Sequence, residues 1–320
     1  MLVRQSVVPL SLGTFFKHLP ILRPTTFSPR TLKRRTLSTS TILSSSYFET
    51  LTPTQKDQIH LYVDVLLQWN QKMNLTAIKE VNEVMERHVE DSLAVVPPIR
   101  NSYISHCSSS CNKLNLVDVG SGAGLPGVVL AIACPGWEVT LMESMKKRCV
   151  FLEHVVGQIG LSNVQVVRGR AEDPCLSCIP TTFEDQETIE IVKVSRRDLN
   201  LRSFELPTPL SFDLGQNLLF REQFDVAVAR AVAEMRILAE YCLPLVRVGG
   251  LFVAAKGHNP EAEVMNAERA IGTMGASILQ VCSVESQSPH GQRTAVVCLK
   301  ARPTPRKYPR DPGTPAKVPL

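Results

Sequence analysis

The chain is 320 residues long, enough for one large or two small domains, and 44% of it is hydrophobic. No apolar run approaches the ~18 residues of a membrane-spanning helix, so no transmembrane segment is expected. The net charge of +5 carries no argument about partners, because residues 1–48 hold seven basic residues (Arg4, Lys17, Arg23, Arg30, Lys33, Arg34, Arg35) and no acid, leaving 28 basic against 30 acidic residues elsewhere.

Residues 1–48 are rich in Ser, Thr and Arg and lack an apolar core segment. That is the composition of an organelle transit peptide rather than a secretory signal. The run LSTSTILSSS leans towards the chloroplast, with the mitochondrion as the alternative. The segment is expected to be disordered and to be cleaved between residues 35 and 50.

Within 52–72, Ile59, Tyr62, Val63, Leu66 and Leu67 recur at helical spacing, and Trp69 and Met73 extend the stripe. Thr52 can cap this helix, and Pro53 suits the position after the cap. A second helix is expected over 82–96, stopped by Pro97-Pro98. Arg87, His88, Asp91 and Ser92 lie on its neighbouring turns and read as a capping and surface ion-pair network, with a structural role favoured for His88. Residues 49–100 are thus expected to form an N-terminal helical region. Residues 101–113 read as a polar loop; Cys107 and Cys111 alone cannot complete a tetrahedral zinc site.

Residues 114–127, LNLVDVGSGAGLPG, read as strand, glycine turn and helix. Gly120, Gly122 and Gly124 permit positive φ and close approach of backbone to a ligand. Pro126 suits the first helical turn, and N–H groups at the helix start favour an anionic group. Two cofactors use such a turn. Gly122, Gly124 and Gly127 fit the dinucleotide fingerprint, with Glu143 placed for a ribose. Gly120, Gly122 and Gly124 fit the S-adenosylmethionine turn of class I methyltransferases. The motif alone does not choose.

Further along, strands are expected at 137–143, 163–168, 224–230 and 251–256. Helices are expected at 145–159 (capped by Ser144, with Val150, Phe151, His154, Val155 and Ile159 inward), 234–246 and 260–273, with Gly249-Gly250 as a break. Runs 277–284 and 293–299 can pair antiparallel. Alternating strands and helices imply a doubly wound α/β sheet. The closing antiparallel pair favours a class I S-adenosylmethionine-dependent methyltransferase: a Rossmann-like, seven-stranded sheet with an antiparallel C-terminal hairpin, preceded by N-terminal helices. Residues 101–300 form this domain. Residues 174–223 interrupt it as an atypical insertion whose Cys175 and Cys178 are weak evidence for metal or redox chemistry. No metal is expected, and the nine cysteines, Cys134, Cys149 and Cys298 among them, read as free thiols. Residues 301–320 form a basic, proline-rich tail that cannot make a helix or a central strand. It is expected to run extended over the surface, where Arg306, Lys307 and Arg310 could reach phosphates.

Ligands of such sheets sit beyond the carboxyl ends of the strands. Gly120 to Leu125 would approach a methionine moiety, Glu143 the ribose hydroxyls, and Ala171 and Glu172 the adenine. Arg230 and Lys256-Gly257 add positive charge near the reacting centre. Each has a bland alternative, such as an ion pair for Arg230 or a snorkelling edge residue for Lys256.

The wording of these elements resembles the bacterial small-subunit rRNA guanine-N7 methyltransferases, the glucose-inhibited division protein B family. The matching stretches are WNQKMNLTAI (69–78), ERHVEDSL (86–93), LVDVGSGAGLPGVVLAI (116–132), KKRCVFLE (146–153), GRAED (169–173), VAVARAVA (226–233), AAKG (254–257) and TPRKYPRDPGTP (304–315). The resemblance implies a monomeric enzyme that uses S-adenosylmethionine to methylate N7 of one guanine in 16S-type rRNA. It carries cofactor contacts to Gly120, Leu125, Ala171, Glu172 and Arg230, and less directly to Glu143. The leader fits a plastid version acting on organelle ribosomes; neither the leader nor the 174–223 insertion is a feature of bacterial relatives. Guanine N7 has an in-plane lone pair and no proton, so no general base is required. Arg230, Lys256 and His88 are therefore RNA-positioning candidates. The competing expectations are a class I methyltransferase on another substrate, a Rossmann oxidoreductase, and a catalytically silent ribosome-assembly factor.

Overall fold

The structure, a computed structural model, describes residues 47–169, 219–284 and 293–320. The leader up to residue 46, Ala171, Glu172, Cys175, Cys178 and all but the last five residues of the 174–223 stretch lie outside the described residues.

Helix α1 (Pro53–Asn70) opens as the sequence predicts. Thr52 accepts from the Gln55 N–H, and the Gln55 side chain accepts from the Thr52 N–H, a capping box with Pro53 behind it. Ile59, Tyr62, Val63 and Leu66 are buried along one stripe. The next helical stretch has three parts: α2 (Val81–Val84), a π-helical turn (Met85–Val89) and α3 (Glu90–Leu93). Here the prediction fails in one respect. Pro97-Pro98 does not end the helical region but opens helix α4 (Val96–His106), whose first turn needs no proline N–H. Ile99, Ser102 and Tyr103 give that helix a buried face, so the first six residues of the expected polar loop are helical.

Strands β1 (Leu114–Val119), β2 (Trp137–Glu143), β3 (Val164–Arg168) and β4 (Phe224–Arg230) pair in parallel. Helix α5 (Gly127–Ala133) links β1 to β2, and α6 (Lys146–Ile159) links β2 to β3. In α6 the buried face holds Cys149, Phe151, Leu152, Val155, Val156 and Ile159. Val150 and His154, expected inward, are exposed, because the stripe is centred about one residue further on; His154 packs against Trp69 with ring centroids 5.1 Å apart. Helix α7 (Met235–Cys242) leads into β5 (Val246–Lys256). Gly249-Gly250 lies inside this strand rather than before it, next to a register shift in the β4–β5 pairing.

Helix α8 (Glu261–Thr273) is followed by β6 (Ala276–Val284) and β7 (Arg293–Lys300). β7 runs antiparallel between β5 and β6, giving the order β3-β2-β1-β4-β5-β7-β6. This is the predicted seven-stranded sheet with its closing hairpin. Each face carries an apolar core. One packs α1 and α4–α6 on the sheet; the other packs α7 and α8. The described cysteines are free thiols, among them buried Cys134, Cys149, Cys242 and Cys298.

The tail is not loose. The Arg221 guanidinium donates to the carbonyls of Thr304 and Tyr308, at 2.7 and 2.8 Å. Arg310 grips the fully buried Glu240 through its guanidinium and its backbone N–H. The expectation that Arg310 reaches out for phosphate fails for that reason. Contrary to the expectation that it cannot make a helix, the tail forms a short one, α9 (Thr314–Lys317), because Pro315 falls in its first turn, where proline is tolerated.

Candidate active site

β1 and β4 are the central neighbours from which the connections run to opposite sides, the switch point where ligands of open α/β sheets bind. The glycine turn leaves the end of β1. Gly120, Gly122 and Gly124 have φ of +74°, +59° and +88°, the left-handed region in which side chains are strained. A Cβ on Gly120 would stand 2.8 Å from Val232, just past the end of β4, so the turn abuts the β4 exit. A Cβ on Gly122 would meet nothing closer than the Gly120 carbonyl at 3.8 Å. The turn thus lies open on that side. From behind, the buried Tyr62 hydroxyl on α1 donates to the Ala123 carbonyl at 2.7 Å.

Two acids organise this turn, and only one was singled out from the sequence. Glu143 ends β2, almost fully buried. Its carboxylate accepts from the N–H groups of Gly122 (2.9 Å) and Met145 (2.8 Å), and Arg148 lies 3.7 Å away. Glu143 therefore holds the glycine turn from the end of β2. Asp118, on β1, is fully buried and accepts from the Gly127 N–H at 2.9 Å. The N-terminus of α5 is consequently capped by the protein's own carboxylate, and the Leu125 N–H bonds to the Ser121 carbonyl. The predicted anion site at that helix start is thus already filled, and Pro126 stands just before the helix rather than in its first turn. Burial above all pushes the Asp118 pKa up to about 6, and its Oδ1 has no hydrogen-bond partner.

Beside the turn opens a cleft of about 260 Å³, lined by Arg87, His88, Asp91, Val95, Arg230, Ala231, Ala255, Lys256, Gly257, Val284, Arg293 and Thr294. The fold thus brings together His88, Arg230 and Lys256, three residues more than 140 positions apart at their extremes. Arg230 donates to the His88 carbonyl at 3.3 Å, and the same carbonyl accepts from Ser92 Oγ at 2.6 Å. The π-helical turn presents that carbonyl to both. The His88 ring lies within 2.8 Å of the Thr76 hydroxyl. Burial, reinforced by the Arg230 charge, pulls its pKa down to about 4, so the imidazole is neutral near pH 7. Lys256 is paired with Glu263 at 2.7 Å and donates to the Ala233 carbonyl at 2.8 Å, fixing β5 to α8 and to the loop after β4. Its ammonium is therefore partly neutralised at the cleft wall.

The sequence reading missed Asp91 and Arg293 as cleft residues. Asp91 is nearly buried, with Oδ2 accepting from Arg293 Nε at 2.9 Å. This ion pair joins α3 to β7, some 200 residues apart, and no local spacing announces it. Arg87 forms a local pair with Glu83, a residue outside the cluster of Arg87, His88, Asp91 and Ser92 expected to make the ion-pair network. Among the described residues, no cluster of His, Cys, Asp or Glu is arranged to hold a metal ion, and no helix is long and apolar enough to cross a membrane.

The family model described as rRNA small subunit methyltransferase G matches residues 55–195 and 216–293, a break that falls inside the 174–223 stretch. Three bacterial proteins named ribosomal RNA small subunit methyltransferase G are similar to this chain. The one from Alkaliphilus oremlandii is 38% identical over 270 residues, covering 84% of this chain and 92% of that protein. Those from Alkaliphilus metalliredigens and Brevibacillus brevis are 36% and 35% identical, covering 83% and 84% of this chain and 91% and 93% of theirs. Among solved structures, a Methanococcus jannaschii fibrillarin pre-rRNA processing protein overlaps 60% of this chain and 68% of its own at 14% identity and a TM-score of 0.37, too distant to bear on function. With a glycine turn and a basic cleft meeting at the switch point of a seven-stranded sheet, and with these matches, the chain belongs to the rRNA small subunit methyltransferase G family of S-adenosylmethionine-dependent methyltransferases.

Proposed function

We propose that this protein transfers a methyl group from S-adenosylmethionine to N7 of one guanine in the small-subunit rRNA of a plant organelle ribosome, acting as a monomer. The observation that carries the reading is the meeting of the glycine turn with the basic cleft at the ends of β1 and β4, in a chain of this family. The acid-free leader supports delivery to the chloroplast, with the mitochondrion as the alternative destination.

The residues present fit the cofactor. Gly120, Gly122 and Gly124 would let the backbone approach the methionine moiety, with Leu125 closing the turn and the open side of Gly122 leaving room for it. Glu143, already fixed by the Gly122 N–H, would accept from the ribose hydroxyls, since carboxylates offer acceptor sites beyond those it uses in the turn. The family resemblance assigns the adenine to Ala171 and Glu172, which lie outside the described residues. Arg230 stands where the cofactor turn and the cleft meet. When bound, the cofactor supplies an electrophilic sulfonium methyl. The chain then has little proton chemistry to perform, because N7 attacks through its own lone pair. Its work is in-line positioning, where proximity and orientation can contribute about 7–11 kcal/mol. Arg230 and Lys256 orient the RNA, the latter chiefly through the wall it builds with Glu263. His88, neutral, contributes a hydrogen-bonding ring and its carbonyl rather than a charge.

Primer extension across organelle small-subunit rRNA, after cleavage at N7-methylguanosine, tests the reading. A stop present with the protein and absent without it is expected. RNA binding with no stop would favour the silent assembly factor, and methylation of another acceptor would favour a different class I substrate.

A further inference from the structure

Among the described residues lining the cleft, Asp91 is the one carboxylate. The other ionised groups there are cationic: Arg87, Arg230, Lys256 and Arg293. An anion lining the cleft weakens its grip on phosphate, since like charges repel. Asp91 is nonetheless held firmly, 7% exposed, with Arg293 Nε at 2.9 Å fixing its Oδ2.

The chemistry of guanine gives that anion a use. Its N7 and O6 are both acceptors on one edge, and an arginine bound across them would cover the nucleophilic nitrogen. An N7 methyltransferase must therefore recognise the base elsewhere. The opposite edge presents N1–H and the N2 amino group, both donors, and a base swung out of its stack is read on that edge. A carboxylate is the acceptor matched to two adjacent donors. It offers about four acceptor sites, so Asp91 can accept from a base while it stays paired with Arg293.

The same contact acts on the rate. As the N7–carbon bond forms and the sulfur–carbon bond breaks, positive charge passes from the sulfonium to the guanine ring, and no proton moves. N1–H and N2–H become stronger donors as that charge arrives. A fixed carboxylate on that edge is thus bound more tightly in the transition state than in the ground state.

Resting on the reading of the chain as an rRNA guanine-N7 methyltransferase, we propose that Asp91 reads the N1–H and N2 amino edge of the target guanine, with Arg293 as the positioning residue for its carboxylate. Small-subunit particles carrying inosine at the target position test this, because inosine keeps N7 and lacks the N2 amino group. Single-turnover methyl transfer is measured on guanosine and inosine particles with wild-type protein and Asp91→Asn, and cofactor affinity is measured by calorimetry. Wild type is expected to react about tenfold or more faster with guanosine. Asp91→Asn should lose that preference, slowing on guanosine far more than on inosine, with cofactor affinity kept. Equal slowing on both particles would reduce Asp91 to a structural part of the cleft and overturn the proposal. The wild-type comparison needs no variant to fold: equal rates on the two particles also overturn it. Wild-type protein that methylates neither particle would overturn the underlying activity, and the proposal with it.

Discussion

Gly120 and Gly122 share a backbone conformation but differ in what surrounds them. At Gly120 a side chain meets Val232 at 2.8 Å as well as a φ of +74°, so Gly120→Val should displace the β4 exit and abolish S-adenosylmethionine binding in a calorimetric titration. Unchanged affinity would sink the assignment of the turn. At Gly122 the nearest atom is 3.8 Å away, and Gly122→Ala incurs only the left-handed backbone cost, about 1–2 kcal/mol. A small drop in melting temperature with a tenfold or greater loss of cofactor affinity is expected there, because the new methyl fills the open side of the turn; equal affinity would move the cofactor elsewhere. Asp118 gives a pH signature. Burial raises its pKa to about 6 from an ordinary 3.8. Between those values the native state keeps a proton that the unfolded state has lost, so stability falls as pH rises through the window, by about 3 kcal/mol in all. Asp118→Asn keeps an acceptor for the Gly127 N–H and does not titrate. Urea melts should show the variant gaining on wild type by up to that amount between pH 4 and 7, and a constant difference would mean that Asp118 titrates normally.

Elements that looked alike in sequence behave differently because of where their prolines and glycines fall. Pro97-Pro98 starts α4, since the first helical turn has no partner for those N–H groups anyway, and buried Ile99 and Tyr103 pull the following residues into a helix. Gly249-Gly250 stays within β5, because the register shift in its pairing with β4 accommodates it. The tail has proline enough to suggest a solvated strap, yet it is anchored from below. Lys300 is fully buried and donates to Glu222 and to the carbonyls of Leu243 and Val246. Arg310 satisfies both oxygens of Glu240, which is itself buried on α7. Removing that guanidinium leaves a carboxylate stranded in the core, a loss of about 3–5 kcal/mol. Arg310→Ala should therefore lower the urea midpoint by that equivalent, and adding Glu240→Gln should recover part of it. If the double variant is no more stable than the single, the pair is not what holds the tail.

At the scale of the molecule, the site is a junction of distant segments: α1 behind the turn, the π-helical turn and α3 on one wall of the cleft, β4 and β5 at its base and β7 opposite. Much of this was legible beforehand. The glycine turn, Glu143 at the end of β2, Arg230 at the end of β4 and the closing hairpin each follow from short-range pattern: alternation, glycine spacing and a polar residue where an apolar strand stops. Tyr62 was legible only as a core residue, and Asp91 only as one charge on a helix. What Tyr62 touches, and that Asp91 pairs with Arg293, depends on how elements pack, and periodicity within a single element carries no information about its neighbours. The state of His88 belongs to the same class. Its residue type permits a cation, but burial beside Arg230 leaves it neutral. The sequence by itself thus determined the order of the strands, the glycine turn and the family, since those are local patterns repeated along one chain. Only the tertiary structure decided that Asp118 already caps the α5 helix, that Lys256 is tied to Glu263 and that one buried carboxylate faces a cleft of cations. Those outcomes depend on desolvation and on charges brought together from distant parts of the chain, which exist only once the sheet has closed around them.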